Sequence, residues 1–410
     1  MARRVGRGDG ATPEAERGGR YCIVVTSSST SGPTPADLLD RNSLRERVEI
    51  ELAAFLDRKL AALGAIDPEL LPVGEAICDL VLEGGKRLRP AFAYWGWRGA
   101  LEAVSYAPTD GADGADPGDD TVIRTAASLE LVQAGALIHD DVMDRARTRR
   151  GQPALHVRFT ELHSARQWSG SAAGFGQGVA ILAGDIALTW AQEMLRTAGL
   201  DDSALARIAP AYDTMRIEVM AGQYLDLLGQ ADSARPDGQA LAAAWRTARY
   251  KSASYTVQRP LHIGALTAGV HAGEGPLLMT YSDYGLALGE AFQLRDDVLG
   301  VFGDPEQTGK PAGDDLREGK QTLLVILARQ RASANSKELF ERKIGREDLS
   351  GPDIDQLRMV IEGSGALAEV EVLIAQRVGA AREALATGPV GGEPREVLEQ
   401  LATTLTARDR

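Results

Sequence analysis

The sequence predicts an all-α protein, a bundle of ten or more helices forming one domain. Three features point there. Apolar residues recur at three- and four-residue steps along most of the chain, as amphipathic helices require. Segments that alternate apolar and polar residues are nearly absent. The breaks between periodic runs are rich in Gly, Pro, Asp and Ser. A length of 410 residues allows two or three domains of roughly 100–200 residues, or one large helical domain. With 44% hydrophobic and 25% charged residues, the chain can bury a large core.

The elements follow in order. Met1–Arg20 is rich in Arg and Gly, the apolar run Tyr21–Val25 is too short for a secretory signal, and Ser27–Thr34 reads SSSTSGPT. Residues 1–40 therefore read as a disordered leader, an appearance a mis-assigned start codon would share. From residue 41 to 410 the helical pattern holds. Ile50, Ala53, Ala54, Leu56, Leu60 and Leu63 form the first apolar stripe. Further helical runs are expected near 68–83, 89–104, 120–146, 177–198, 203–228, 240–270, 276–302, 319–333, 352–362, 365–386 and 394–407. No segment approaches the roughly 18 uninterrupted apolar residues of a membrane span.

Lys plus Arg is 45 against 58 Asp plus Glu, a net charge of −13. That balance argues against a general nucleic-acid binder and leaves room for clustered carboxylates. The two cysteines, Cys22 and Cys78, make neither a disulfide framework nor a four-ligand zinc site, so a reducing cytoplasm is the expected compartment.

Two acidic clusters stand out. Asp140-Asp141-Val142-Met143-Asp144 places Asp140 and Asp144 one helical turn apart on one face. Like charges at that spacing repel, whereas two such carboxylates make a half-site for Mg²⁺, which takes oxygen ligands and keeps positions for water and phosphate. A solvated acidic face is the bland reading of any charge run. Here an apolar stretch, Ala134–Ile138, precedes the cluster, and Arg145, Arg147, Arg149 and Arg150 follow it, which suits a polyphosphate held between metal and guanidinium. The second cluster, Asp296-Asp297, ends another apolar run. A third segment, Gly84-Gly85-Lys86-Arg87-Leu88-Arg89-Pro90, offers freed backbone and two cations, Lys86 and Arg89, three residues apart.

Together these segments resemble the trans-isoprenyl diphosphate synthases, all-α enzymes that elongate prenyl diphosphates head-to-tail. The matching stretches are GGKRLRP at 84–90, LIHDDVMDRARTRRGQP at 137–153, LAGDIAL at 182–188, Tyr250-Lys251-Ser252, FQLRDDVLGVFGD at 292–304 and TGKPAGDDLREGKQT at 308–322, in family order. The resemblance implies helices around a deep central cavity and several Mg²⁺ ions per site. It implies metal ligation by Asp140, Asp144, Asp296 and Asp297. It assigns Lys86, Arg89, Gln133 and Arg150 to the diphosphate of isopentenyl diphosphate. Arg149, Lys251, Ser252, Gln293, Lys310 and Lys320 go to the allylic diphosphate. Asp140, Asp144, Asp296 and Lys251 are the expected catalytic groups. A homodimer packed near the first motif is also implied, with no nucleic acid and no stable membrane insertion.

Two positions depart from the family pattern: Gly300 stands where a third Asp commonly ends the second motif, and Ser252 stands where Thr is common. His139 is expected to hydrogen-bond a structural neighbour rather than act in catalysis. Product length should follow the helix before Asp140, each turn of about 5.4 Å matching one isoprene unit. Gly135 and Ala136 are small and should leave the pocket open, with Val132 one turn deeper and Ser128 and Leu129 beneath it. That reading favours geranylgeranyl diphosphate. A longer-chain synthase, a terpene cyclase and a non-catalytic synthase subunit are the alternatives. A cyclase would carry a different second metal motif, and such subunits typically lose acidic ligands.

Overall fold

In this computed structural model the described residues are 41–106, 118–232, 235–271, 273, 275–304, 313–346 and 348–407; the expected leader at 1–40 and Lys310 lie outside them. The first apolar stripe folds as α1 (Leu44–Ile66), which buries Leu44, Val48, Leu52, Phe55 and Leu56. Asp67 caps a short 3₁₀ turn, Pro68–Leu70, by accepting from the Glu69 amide at 2.8 Å, and α2 (Leu71–Leu82) follows. Next come α3 (Leu88–Tyr106) and α4 (Asp119–Met143), the latter buried on nearly every side. A two-stranded hairpin pairs β1 (Thr148–Arg149) with β2 (Gln152–Pro153). Helices α5 (Leu155–Ala165), α6 (Ala172–Arg196) and α7 (Asp202–Ala231) come next, and the last two are capped by the Ser171 and Asp201 side chains.

One expected helix, 240–270, is a helical run with a distinct middle. α8 (Asp237–Thr247) leads into a π-helix (Ala248–Gln258) and then α9 (Arg259–Thr267). The widened π backbone needs close approach from its neighbours, and glycines allow it. A Cβ on Gly222 of α7 would strike the Lys251 backbone. A Cβ on Gly285 of the following helix would lie 2.6 Å from the Gln258 Cα. That helix is α10 (Pro276–Phe302).

The remainder comprises α11 (Asp314–Glu318), α12 (Leu323–Arg331), α13 (Ala334–Lys343), α14 (Gly351–Gly363), α15 (Ala366–Thr387) and α16 (Gly392–Thr406). The all-α class is borne out. The expectation missed α5, α11 and α13 altogether. It also started a helix at 319, where a turn instead carries Lys320 and Gln321 between α11 and α12.

Two apolar cores result. The larger gathers α1 to α7, α9, the first half of α10 and α16. The smaller gathers the second half of α10, through Leu294, Val298 and Val301, with α8 and α11 to α15. α10 therefore belongs to both. By length and composition α4 and α6 could each cross a bilayer; α4 is packed inside the bundle, whereas α6 leaves Phe175, Ile181 and Leu182 exposed.

Candidate active site

The first acidic wall forms at the C-terminal end of α4. Asp144 is its C-cap, in helical conformation, and its N–H donates to the Asp140 carbonyl at 2.8 Å, so the one-turn spacing read from sequence is kept. Asp140 Oδ1 and both carboxylate oxygens of Asp144 are buried without a hydrogen bond. Cations stand close instead. Lys251 Nζ lies 3.2 Å from Asp140 Oδ1, Lys320 Nζ 3.4 Å from Asp144 Oδ2, and Arg149 3.5 Å from Asp140 Oδ2. Burial alone would raise the Asp140 carboxyl, but Lys251, Lys320 and Arg149 outweigh it and hold the group at about 2. Asp144 moves up, because burial and the Asp140 charge act together.

The second wall is on α10. Asp296 and Asp297 both line the same cavity of about 720 Å³ that Asp140 lines. Asp297 is fully buried and accepts from Gln293 Nε2 at 2.7 Å. Burial drives its carboxyl up to about 8, against the Gln293 bond and with help from Asp315 and Asp296. Gly300, one turn beyond Asp296, has its missing side chain replaced from elsewhere: the Asp315 carboxylate of α11 occupies the space a Cβ there would need. Lys320 ties the walls together, 3.5 Å from Asp315 Oδ1 as well as near Asp144.

These donors fit a hard divalent cation. Buried carboxylate oxygens lacking hydrogen bonds are rare in folded proteins and mark sites for an ion. Among the described residues no three His, Cys, Asp or Glu side chains converge into a ready-made cage. Each wall is a half-site, as Mg²⁺ shared with a phosphate requires.

The cavity also takes Lys86, Arg149, Lys251, Gln293 and Lys320 from the expected set. Asp141, not singled out from sequence, accepts from Arg149 Nε at 2.9 Å and aims that guanidinium. Asp226 of α7, also not foreseen, accepts from Lys251 Nζ at 2.7 Å. Asp140 and Asp226 raise the Lys251 ammonium despite the burial that opposes them.

A second, mostly apolar cavity of about 500 Å³ adjoins the first, and Leu137, Asp140, Lys251 and Asp296 line both. Val132, Ala136 and Ser252 line it as expected of pocket residues. Arg89 and Gln133 stand here too, gathered by Tyr255. The Arg89 guanidinium lies 4.2 Å from the Tyr255 ring centre, and the Tyr255 hydroxyl donates to Gln133 Oε1 at 2.7 Å. Tyr255 was invisible as a site residue in the sequence.

Two expectations need correction. Arg150 lines neither cavity; its Nη1 donates to the Leu80 carbonyl at 3.0 Å and to the Gly84 carbonyl, so it braces the glycine loop that carries Lys86. Gly135 does not face the pocket. A Cβ there would lie 2.8 Å from Leu188 of α6, so its smallness serves helix packing. Ser128 and Leu129 are fully buried below the cavity and do not line it. His139 does what was expected: Nε2 stands 3.0 Å from the Ile181 carbonyl, with its ring against Gly184.

Comparisons with known proteins give this arrangement its context. Residues 72–361 match the polyprenyl synthetase family. A geranylfarnesyl diphosphate synthase from Aeropyrum pernix is 32% identical, covering 86% of this chain and 99% of that protein. A geranylgeranyl diphosphate synthase from Mycobacterium tuberculosis is also 32% identical, covering 88% and 93%. The crystal structure of a geranylgeranyl pyrophosphate synthase from Corynebacterium glutamicum, complexed with isoprenyl diphosphate and magnesium, superimposes with a TM-score of 0.81 at 40% identity, covering 90% of this chain and 99% of that one. The family match spans most of the chain, and the relatives align nearly end to end. The chain belongs to the polyprenyl synthetase family and is a trans-prenyltransferase of the short-chain isoprenyl diphosphate synthase type.

Proposed function

We propose that this enzyme condenses isopentenyl diphosphate with allylic diphosphates in a Mg²⁺-dependent reaction and releases geranylgeranyl diphosphate. The observation that carries the reading is the junction of the two cavities. A basin of carboxylates and cations opens onto an apolar slot, and Asp140, Lys251 and Asp296 stand on both sides of the opening. The scissile allylic C–O bond belongs at such a boundary, with diphosphate in the basin and hydrocarbon in the slot.

Asp140, Asp144 and Asp296 would hold Mg²⁺, whose chemistry is to draw negative charge from the departing diphosphate as a Lewis acid. Asp297, held by Gln293, is the weaker candidate ligand because burial keeps a proton on it. Arg149, Lys251 and Lys320, which line the basin, would receive the allylic diphosphate and stabilise charge as it develops. Gln293 and Ser252 would orient the same group. Lys86, with Arg89 and Gln133 at the neighbouring wall, would take the isopentenyl diphosphate, whose double bond attacks the allylic cation before a proton is lost. The apolar slot keeps water from the cation.

Ala136 leaves the first turn of that slot open, and Val132 narrows it one turn down. Those sizes favour a twenty-carbon product, and a geranylgeranyl diphosphate synthase is among the relatives. The apolar faces of α6 and α7, with Ile181, Leu182, Ile217 and Met220 exposed, support a homodimer packed there. Two cysteines, too few for a disulfide framework, accord with a cytoplasmic enzyme.

The test is direct. The purified chain is incubated with isopentenyl diphosphate, farnesyl diphosphate and Mg²⁺, and products are separated by chain length, with a chelator control. Geranylgeranyl diphosphate that vanishes with the chelator supports the reading. A cyclic hydrocarbon, or no elongation, defeats it.

A further inference from the structure

The apolar slot does not end on apolar side chains. Arg216 of α7 lines it together with Val132, Leu188, Val219 and Met220. Its guanidinium is fixed from two sides: Nη1 donates to Gln192 Oε1 of α6 at 3.0 Å and stands 3.6 Å from Asp213 Oδ1. Its Nε is buried without a hydrogen-bond partner. A cation against a hydrocarbon site costs free energy that an aliphatic side chain would not, so packing alone does not call for Arg here. One turn further down α7 the space is closed. Tyr212 is fully buried, and its hydroxyl meets Ser128 Oγ of α4 at 3.2 Å.

We propose that Arg216 is the floor of the tail pocket and sets the length at which elongation stops. The inference rests on the prenyl-elongation reading above and adds the specificity residue to it. The two walls give depths within one helical turn of each other. On α7, Asp226 marks the diphosphate level through its bond to Lys251, and Arg216 lies ten residues earlier. At 1.5 Å per residue that is about 15 Å, or about three isoprene repeats of one helical turn each. On α4, Val132 lies eight residues before Asp140, about 12 Å down the opposite side. A three-unit allylic tail is farnesyl. It fits above Arg216 and is extended once, and the twenty-carbon product then has a fourth unit that meets the guanidinium. The aliphatic stem of Arg216 can line the tail, but its head cannot be stripped of polar partners to let hydrocarbon past. Gln192 and Asp213 prevent it from swinging aside.

Two variants and two measurements test this. Arg216→Leu keeps much of the stem and removes the charge, and Arg216→Ala removes both. Arg216→Ala should yield mainly a product one isoprene unit longer than wild type, and Arg216→Leu a mixture. The extension should stop at one unit, because Tyr212 closes the next turn. The second measurement needs no turnover: calorimetric binding of non-ionisable thiolodiphosphate analogues bearing fifteen- and twenty-carbon tails, with Mg²⁺. Wild type should bind the longer analogue about tenfold or more weakly than the shorter. Arg216→Ala should bind the two within about threefold of each other. An unchanged product distribution in a variant that keeps the wild-type circular dichroism spectrum overturns the proposal, as does a wild-type enzyme that binds both analogues equally. If wild type stops at twenty-five carbons and Arg216→Ala adds one more unit, the geranylgeranyl assignment fails while the floor stands.

Discussion

The two acidic walls face one cavity from different cores and are held in opposite ways. Asp140, at the end of α4 in the larger core, is surrounded by Lys251, Lys320 and Arg149 and remains an anion down to about pH 2. Asp297, on α10 where it enters the smaller core, is bonded to an amide and beset by carboxylates, and it keeps its proton up to about pH 8. The residue type is the same, so the difference lies in the field each group meets. The first wall is charged before any ligand arrives. The second keeps one of its two carboxyls neutral.

The comparison can be broken most severely on the first wall. Asp140→Asn or Asp144→Asn should lower turnover by about 10³-fold or more, because ligands to the leaving-group cation are lost, while the helical circular dichroism spectrum stays unchanged. Asp297→Asn should lose less than about tenfold at neutral pH, since asparagine imitates a protonated carboxyl. Equal losses at both walls, measured in one steady-state assay, would erase the distinction drawn here.

The cations sharpen the picture at the next scale. Lys251→Ala, which removes the partner of Asp140 and Asp226, should raise KM chiefly for the allylic substrate. Lys86→Ala should raise it chiefly for isopentenyl diphosphate, each by about ten- to a hundredfold for a lost charge-assisted phosphate contact. Initial-rate measurements varying one substrate at a time would show whether the effects separate; identical shifts in both constants would contradict two diphosphate sites.

A smaller effect should come from Gly300→Asp, which fills the space now taken by the Asp315 carboxylate. Two carboxylates cannot share it, so melting temperature should fall by several degrees, about 1–3 kcal/mol of crowding. Adding Asp315→Ala should restore most of the loss in a calorimetric scan. No drop in the single variant would show that α11 moves freely away.

The last effect is electrostatic. Below its ordinary value of 3.8 Asp297 is protonated in folded and unfolded chains alike; as pH rises toward 8, only the unfolded chain gives up the proton. The ligand-free fold therefore loses stability between those limits. Wild type should lose a few degrees of melting temperature relative to Asp297→Asn between pH 5 and pH 8. A constant difference across that range would place the Asp297 carboxyl near its ordinary value.

Much of this was legible in the chain. Helices announce themselves by period, and Asp140 and Asp144 stand out because repelling charges one turn apart serve no packing purpose. α5 and α13 were missed because their apolar stripes are thin: α13 buries only Phe340, and α5 only Leu155, Phe159 and His163. The π-helix hid for another reason, since a shift in hydrogen bonding leaves apolar spacing helical. Consecutive residues misled where direction mattered. Gly135 and Ala136 differ by about 100° around α4; Ala136 faces the slot, whereas Gly135 packs against α6. Arg150 sits in a turn at φ 54 and points away from Arg149. Asp226, Tyr255, Asp315 and Arg216 could not be read at all, because each reaches the site from a helix on which it looks like an ordinary polar residue.

The π-helix has a bearing on how such a site could change over generations. A π segment holds one residue more than the α-helix it interrupts. Removing Ala253, which lines neither cavity, would let ordinary helical pairing resume, and the segment upstream, Lys251 included, would turn by about 100° relative to α9. Lys251 would then leave the opening between the two cavities although every side chain of the site was still encoded. Activity here is vulnerable to a change in residue count as well as to a change in residue type, and a comparison of descendants that scored substitutions alone would see nothing amiss.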